Sequence, residues 1–513
     1  MADSDRTFPG FSLKRLMLLM VTALVALVLT QSLVNSWNQP QVASQLELYQ
    51  TNLLLEGSSW QGAGLPEAQW PTLRQGLLGK DPVGEVKKQY QQLQQRARDN
   101  LEKLSIQSPL GESTQAGKPL PRRQQNALNQ QRALIDQIDL QLGLIEAHQG
   151  SEATAISRWS DLRDRPSTDA PLVRTADTLV RLWQYHQAKP GDDLWLEQHL
   201  QGWFAYRALD QFYNITQRSQ DRQRLQAQEQ VTAQNRLVKL VAIGTLPAIG
   251  ALGGIGLSLF LVIQRFLKGE QSLLRLHAGQ GWTIPWTGET IWQVLVLGFF
   301  FVGQILLPVL LGALGLESSA LSSRDRAWFS LGYYLVMAAG GLGVLWWSIR
   351  SYRPLPEGLF QLKPSSEALL WGLGGYLVAL PLMFGIALVN QQIWQGQGGS
   401  NPMLETVLRE QDPVALGIFF LTAAVAAPLF EETLFRGFLL PSLTRYMGLG
   451  WAICLSGFVF AAAHLSLSEV LPLTLLGMVL GFVYSRSRNL LSSMVLHSLW
   501  NSATMVGLFL LSQ

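Results

Sequence analysis

Residues 416–430 read Leu416-Gly417-Ile418-Phe419-Phe420-Leu421-Thr422-Ala423-Ala424-Val425-Ala426-Ala427-Pro428-Leu429-Phe430 and run straight into Glu431-Glu432-Thr433-Leu434-Phe435-Arg436. The apolar run has the length and composition of a membrane helix. One charge at the bilayer centre costs roughly 2.5–3.5 kcal/mol on insertion scales, and three follow this run, so the chain is using them. On a helix, Glu432 and Arg436 are four apart and share a face, so they can pair. Pairing makes two such charges tolerable out of water. Glu431 is rotated by about 100° from Glu432 and is free to face something else. The spacing therefore reads as a fixing pair, Glu432 with Arg436, beside a working carboxylate, Glu431. A purely structural salt bridge would need only one of the two glutamates.

Working outward, the chain has 513 residues, 48% of them hydrophobic, and a formal net charge of +3. That charge is too small to argue for nucleic acid, and no basic run or nucleic-acid motif appears. Apolar residues concentrate in the first ~35 positions and after about residue 238, around a polar middle rich in Gln, Leu and Arg. The composition predicts an all-α polytopic helical membrane protein with an extramembrane helical insert. The one cysteine, Cys454, lies in an apolar segment. An intrachain disulfide is excluded, a Cys-ligated zinc site is disfavoured, and the residue reads as a small buried hydrophobe.

Lys14 and Arg15 precede an apolar run, 16–29, with no small-x-small cleavage site after it, so residues 1–37 read as a signal anchor with a cytoplasmic N-terminus. Residues 38–235 then fall on the far side and read as helices, with Gly/Pro breaks near 109–121 and at Pro190-Gly191. Leu142-Gly143, Gly150, Ala155, Trp159 and Pro166 follow the spacing of a tetratricopeptide helix pair. An amphipathic helical bundle is the alternative, and either could hold a protein partner. His148, His186 and His199 show no metal-ligand spacing. Seven or eight further apolar segments are expected, near 238–263, 291–315, 328–348, 366–389, 414–440, 447–467, 470–485 and 489–511. Residues 236–364 read as additional transmembrane helices, ahead of a helical membrane core at 365–513. Arg265, Lys268 and Arg275; Arg350, Arg353 and Lys363; Arg445; and Arg486 with Arg488 then fall on one side. The opposite loops carry Glu317, Asp325, Glu405, Glu410 and Asp412 beside Arg324, Arg326 and Arg409. That sorting fits about nine spans with a positive cytoplasmic side. The segment 470–485 is short enough to be re-entrant.

Two further polar pairs lie in apolar segments. Phe460 and His464 are four apart, as are His497 and Asn501. Polar groups in lipid must find one another, so these side chains are expected to converge with the glutamate motif. Two routes to amide hydrolysis are open. Glu431, His464 and His497 could hold a divalent metal, zinc by donor type, with an open water position. Alternatively Glu431 and His464 activate water directly while His497 and Asn501 stabilise an oxyanion. His-Glu-x-x-His, Ser-His-Asp and Walker A patterns are absent. One tension stands. At ~1.5 Å per residue, His464 lies some 20–25 Å from the cytoplasmic start expected for its helix and His497 about 10 Å from its own. The 447–467 helix must tilt or begin later.

Glu-Glu-x-x-x-Arg, Phe-x-x-x-His and His-x-x-x-Asn, in this order on three membrane segments, resemble the CPBP family, which includes CAAX prenyl endopeptidases of the Rce1 type and bacterial Abi relatives. Here the motifs are Glu431 to Arg436, Phe460 to His464 and His497 to Asn501, and the resemblance covers roughly 365–511. It implies a helical membrane core with a cavity open to the cytoplasm and an intramembrane endopeptidase, named a metalloprotease in that family. It also implies Glu431 and His464 at the attacking water, and His497 and Asn501 at the oxyanion. The expected location is a bacterial plasma membrane or an internal membrane such as a thylakoid, with a peptide or protein substrate. The large insert, which simple prenyl endopeptidases lack, argues against a CAAX substrate. A second reading is a catalytically silent scaffold that binds a partner through residues 38–235.

Overall fold

The computed structural model describes residues 13–37, 41–66, 68–106, 122–166, 168–316, 321–410 and 412–512. The break expected at 109–121, residue Glu317 and the side chains of Glu405 and Arg409 lie outside the described residues. The protein is all-α, and the chain divides into two compact units, Met1–Val42 with Leu246–Gln513, and Ala43–Thr245.

The first helix, α1, spans Leu13–Trp37. The second unit is built from α2 (Val42–Ser58), α3 (Trp70–Leu78), α4 (Pro82–Ile106), α5 (Arg122–His148), α6 (Glu152–Asp164), α7 (Ala170–Gln184), α8 (Asp192–His199) and α9 (Gly202–Ile215), with the first part of α10 (Ser219–Lys268). The α5/α6 pair shows why its sequence spacing matters. Trp159 is fully buried and donates its indole N–H to the Leu140 carbonyl at 3.1 Å. Gly143 makes room for it, since a Cβ there would come within 2.2 Å of the Trp159 nitrogen. Gly150, at φ +81°, makes the turn between the two helices. Arg158 then bridges Asp139 at 2.8 Å and Glu146 at 3.0 Å, which satisfies two buried carboxylates.

The membrane unit continues through α11 (Gly288–Ala313), α12 (Ser323–Ile349), α13 (Ser366–Trp394), α14 (Pro402–Arg409), α15 (Pro413–Leu443), α16 (Leu449–Ala462), α17 (Leu467–Ser487) and α18 (Leu490–Ser512). Among the described residues eight helices are long and apolar enough to cross a membrane, and α16 is shorter. The protein is a multi-pass integral membrane protein. The sequence reading of 470–485 as the short segment is corrected here. That helix, α17, has 21 residues, whereas α16 has 14, about 21 Å at 1.5 Å per residue. Its end at Ala462 leaves His464 in the following turn rather than on the helix.

Helices from both sides of residue 364 share one core, in which Phe299, Phe300 and Leu345 pack with Phe430, Phe435 and Phe460. Where α16 crosses α17 the contact is backbone to backbone: a Cβ on Gly477 would lie 2.7 Å from the Gly457 Cα. The basic loops gather at one end of this unit. Arg445 donates to the Ile284 carbonyl at 3.1 Å, Arg486 to Leu276 at 3.3 Å, and Asn489 to Lys363 at 2.6 Å. At the other end Ser36 donates to the Gly398 carbonyl, and the Asn401 N–H donates to Glu469 at 2.7 Å. This segregation is the one positive-inside sorting requires.

Candidate active site

Local distortion of α15 aims the site. Its hydrogen-bond ladder widens into π turns over Thr422–Ala426 and Thr433–Leu439, leaving Glu431 and Glu432 on a short α-helical stretch between them. Such insertions recur at functional sites. The first π turn sends the Ala427 N–H to the Thr422 carbonyl, bypassing Ala423. Pro428 has no N–H to give Ala424. Two carbonyls are thus freed in a membrane helix, and α18 satisfies both. Ser498 Oγ donates to Ala424 at 2.5 Å and Asn501 Nδ2 donates to Ala423 at 2.8 Å. The bend in α15 and the register of α18 are tied together one turn below His497.

Glu432 and Arg436 are fully buried, and Arg436 Nη1 donates to Glu432 Oε1 at 2.8 Å. The pair expected from the sequence is therefore formed. Arg436 Nη2 donates to the Gly477 carbonyl at 3.1 Å, exposed by the close Gly457/Gly477 crossing. Its guanidinium also stands 4.6 Å from the Phe460 ring centroid, within cation–π range. His497, 3% exposed, places Nδ1 2.9 Å from the same Glu432 oxygen. Facing a carboxylate already paired with Arg436, that nitrogen carries the proton, so the imidazole is held in one orientation.

Glu431 faces elsewhere, as its rotation on the helix predicts. Its side chain is 15% exposed. Oε1 accepts from the Tyr334 hydroxyl at 3.0 Å. Oε2 is buried, has no hydrogen-bond partner among the described residues, and lies 3.8 Å from His497 Nε2. An unpartnered carboxylate oxygen beside a fixed imidazole is a costly arrangement for a merely structural cluster. It is what a water-activating site needs.

The histidine beside Glu431 is His497. His464 turns its Nδ1 back onto the Phe460 carbonyl at 2.9 Å. Its ring is 5.0 Å from the Phe460 ring, and Phe460 is in turn 5.7 Å from the His497 ring. Phe460 therefore touches both histidines. Asn501 is near the site, with one amide N–H committed to Ala423. Among the described residues no three His, Cys, Asp or Glu side chains gather closely enough to hold a metal ion. Glu432 at His497 Nδ1 leaves Nε2 in the orientation in which a histidine ligates a metal, but Glu431, His464 and His497 as placed are not grouped closely enough to form a ligand set.

Residues 413–503, which carry all three motifs, match the family model described as type II CAAX prenyl endopeptidase Rce1-like. This segment of the chain is of the CPBP type. A stretch of 139 residues, 27% of the chain, is 24% identical to a Bacillus subtilis (strain 168) protein named "Putative membrane peptidase YdiL" and covers 56% of it. The chain thus spans just over half the length of this curated relative. No solved structure matches. Tyr334 lies outside the CPBP segment, and sequence reasoning missed it. Its signal was there: a tyrosine pair, Tyr333-Tyr334, in an otherwise apolar helix, whose hydroxyls must find acceptors. Tyr333 finds the Gly303 carbonyl at 2.6 Å, and Tyr334 finds Glu431. Ser498 was missed because its partner is a carbonyl freed by Pro428, 70 residues away.

Proposed function

We propose that this CPBP protein is an intramembrane endopeptidase in which Glu431 activates water. The observation that carries the reading is the buried, unpartnered Glu431 Oε2 facing His497 Nε2. Glu431 takes a proton from water, and the hydroxide adds to the scissile carbonyl carbon. The oxyanion is met by the free amide N–H of Asn501. Protonated Glu431 next delivers its proton to the departing amide nitrogen, and the C–N bond breaks. His464, with Nδ1 on the Phe460 carbonyl, fits a role in holding substrate or water on the far edge of Phe460. No step is routed through a metal, since the residues as placed do not form its ligand set.

The substrate is a peptide or protein reaching the membrane core. The CAAX specificity named by the family model is not carried over, because the residues of the insert lie outside the matched segment. The test is a comparison of membrane-protein fragments in cells carrying the wild type and Glu431→Gln. Fragments that vanish, with their intact precursors accumulating, support the proposal. Full rescue of a deletion phenotype by Glu431→Gln with no change in fragments would overturn it in favour of the scaffold reading.

A further inference from the structure

The second unit carries a surface that nothing above uses. Helix α3 is amphipathic in an unbalanced way. Leu73, Leu77, Trp70, Arg74 and Leu78 form one continuous arc at helical spacing, while Gln69, Thr72, Gln75 and Gly76 occupy the rest. Only one edge of that arc is covered by protein. Leu78 is 6% exposed and packs with Trp60, Ala233 and Leu237, and Trp70 joins the same cluster. The other edge is bare, with Leu73 at 44% and Leu77 at 37% exposed. Scattered exposed leucines are ordinary in a folded protein; an adjacent pair continuing an already buried apolar arc is not.

What covers this edge follows from its neighbour. Residues 240–263 of α10 carry no charged side chain, and Lys239 precedes them. That run is about 36 Å long at 1.5 Å per residue, against a hydrocarbon core of about 30 Å, so α10 passes into lipid within a turn of Lys239. Val238 is already 64% exposed, as are the later lipid-facing positions Leu246 and Leu252 at 67% and 69%. Helix α3 rests on Ala233 and Leu237, immediately outside that point. The Trp60–Trp70 pair, edge to face at 4.6 Å, packs with the same Ala233 and Leu237, and tryptophans are enriched at membrane–water interfaces.

We infer that α3 is an interfacial helix: it lies in the headgroup layer that α10 traverses and buries Leu73 and Leu77 in lipid. Arg74, on the same arc, and Lys80, just past the helix, are placed to reach headgroup oxygens, as long basic side chains do at this depth. The consequence is a helix that fixes the height of the α2–α3 region against the bilayer independently of catalysis.

The test uses the full chain in phosphatidylcholine/phosphatidylglycerol nanodiscs with Cys454→Ala. Spin labels are placed at Leu73→Cys, Leu77→Cys, Gln75→Cys on the polar face, and Leu252→Cys on the lipid-facing part of α10. Collision of each label with oxygen, which partitions into lipid, is compared with that of a water-soluble nickel chelate. The expected oxygen-to-nickel ratio at 73 and 77 is several-fold above that at 75 and approaches that at 252. Labels at 73 and 77 as open to nickel as the label at 75 would overturn the inference. Labels closed to both reagents would overturn it too, by showing a protein partner or a second copy on the patch. Because these positions are exposed, a label there does not threaten folding, and the Gln75→Cys variant controls for label and assembly.

Discussion

Two adjacent glutamates should respond oppositely to one substitution. Glu432→Gln removes the anion between Arg436 Nη1 at 2.8 Å and His497 Nδ1 at 2.9 Å, in a place where Glu432 and Arg436 have no exposure at all. Breaking a buried pair by neutralising one partner costs about 3–5 kcal/mol, because the other charge is left uncompensated. The Gly477 carbonyl and the Phe460 ring still touch Arg436, which places the expected loss toward the lower end of that range. That corresponds to a fall in Tm on the order of 10 °C. Glu431→Gln removes far less. The introduced amide oxygen can still accept from Tyr334, and the other carboxylate oxygen had no partner to lose. Its expected cost is under about 1 kcal/mol, and relief of an unpaired buried oxygen can make it stabilising. Thermal unfolding of the two purified variants in one detergent, followed by tryptophan fluorescence, gives both values without any substrate. Equal destabilisation, or a larger loss for Glu431→Gln, would refute the division into a structural and a working glutamate.

Other outcomes follow from the same geometry. Tyr334→Phe should lower cleavage of a substrate identified by the fragment comparison about 10- to 100-fold, the loss expected for one hydrogen bond to a charged group, while Tm stays near that of wild type. Unchanged turnover would remove Tyr334 from the site. Ser498→Ala with Asn501→Ala should destabilise by roughly 1–2 kcal/mol, since the Ala424 and Ala423 carbonyls lose their donors and membrane hydrogen bonds average about 0.6 kcal/mol each with larger values when none can be replaced. A double-mutant cycle of Tm values checks it. Gly477→Ala should cost about 1–3 kcal/mol, because its Cβ would fall 2.7 Å from the Gly457 Cα and 3.2 Å from Arg436 Nη2. Gly457→Ala, whose Cβ would meet the Thr474 carbonyl at 2.9 Å, should behave alike in the same unfolding assay. Gly143→Ala should loosen the α5/α6 pair, seen as faster amide exchange in α6, because Trp159 must move.

What the sequence determined by itself was whatever depends on neighbours along one helix or on gross polarity. Uncharged runs interrupted by a few ionisable groups leave no alternative to membrane helices, since only those satisfy the backbone in lipid. The Glu432–Arg436 pair and the divergence of Glu431 follow from four residues and one residue of helical rotation. The spacing of Gly143, Gly150, Ala155 and Trp159 suggested a helix pair, but the contact of Gly143 with Trp159 is one that tertiary packing made. Tertiary structure decided which side chains meet across helices. That His497 lies beside Glu431, and that α16 stops at Ala462 and puts His464 in a turn, are both set by packing. The Tyr334 bond to Glu431 turns on α12 packing against α15, 97 residues apart in the chain. The commitment of Asn501 to Ala423 turns on a π turn that reroutes backbone hydrogen bonds in another helix. Helix lengths, crossings and ladder slips are set by the balance of packing over the whole bundle, and a periodic pattern on one segment carries no record of them.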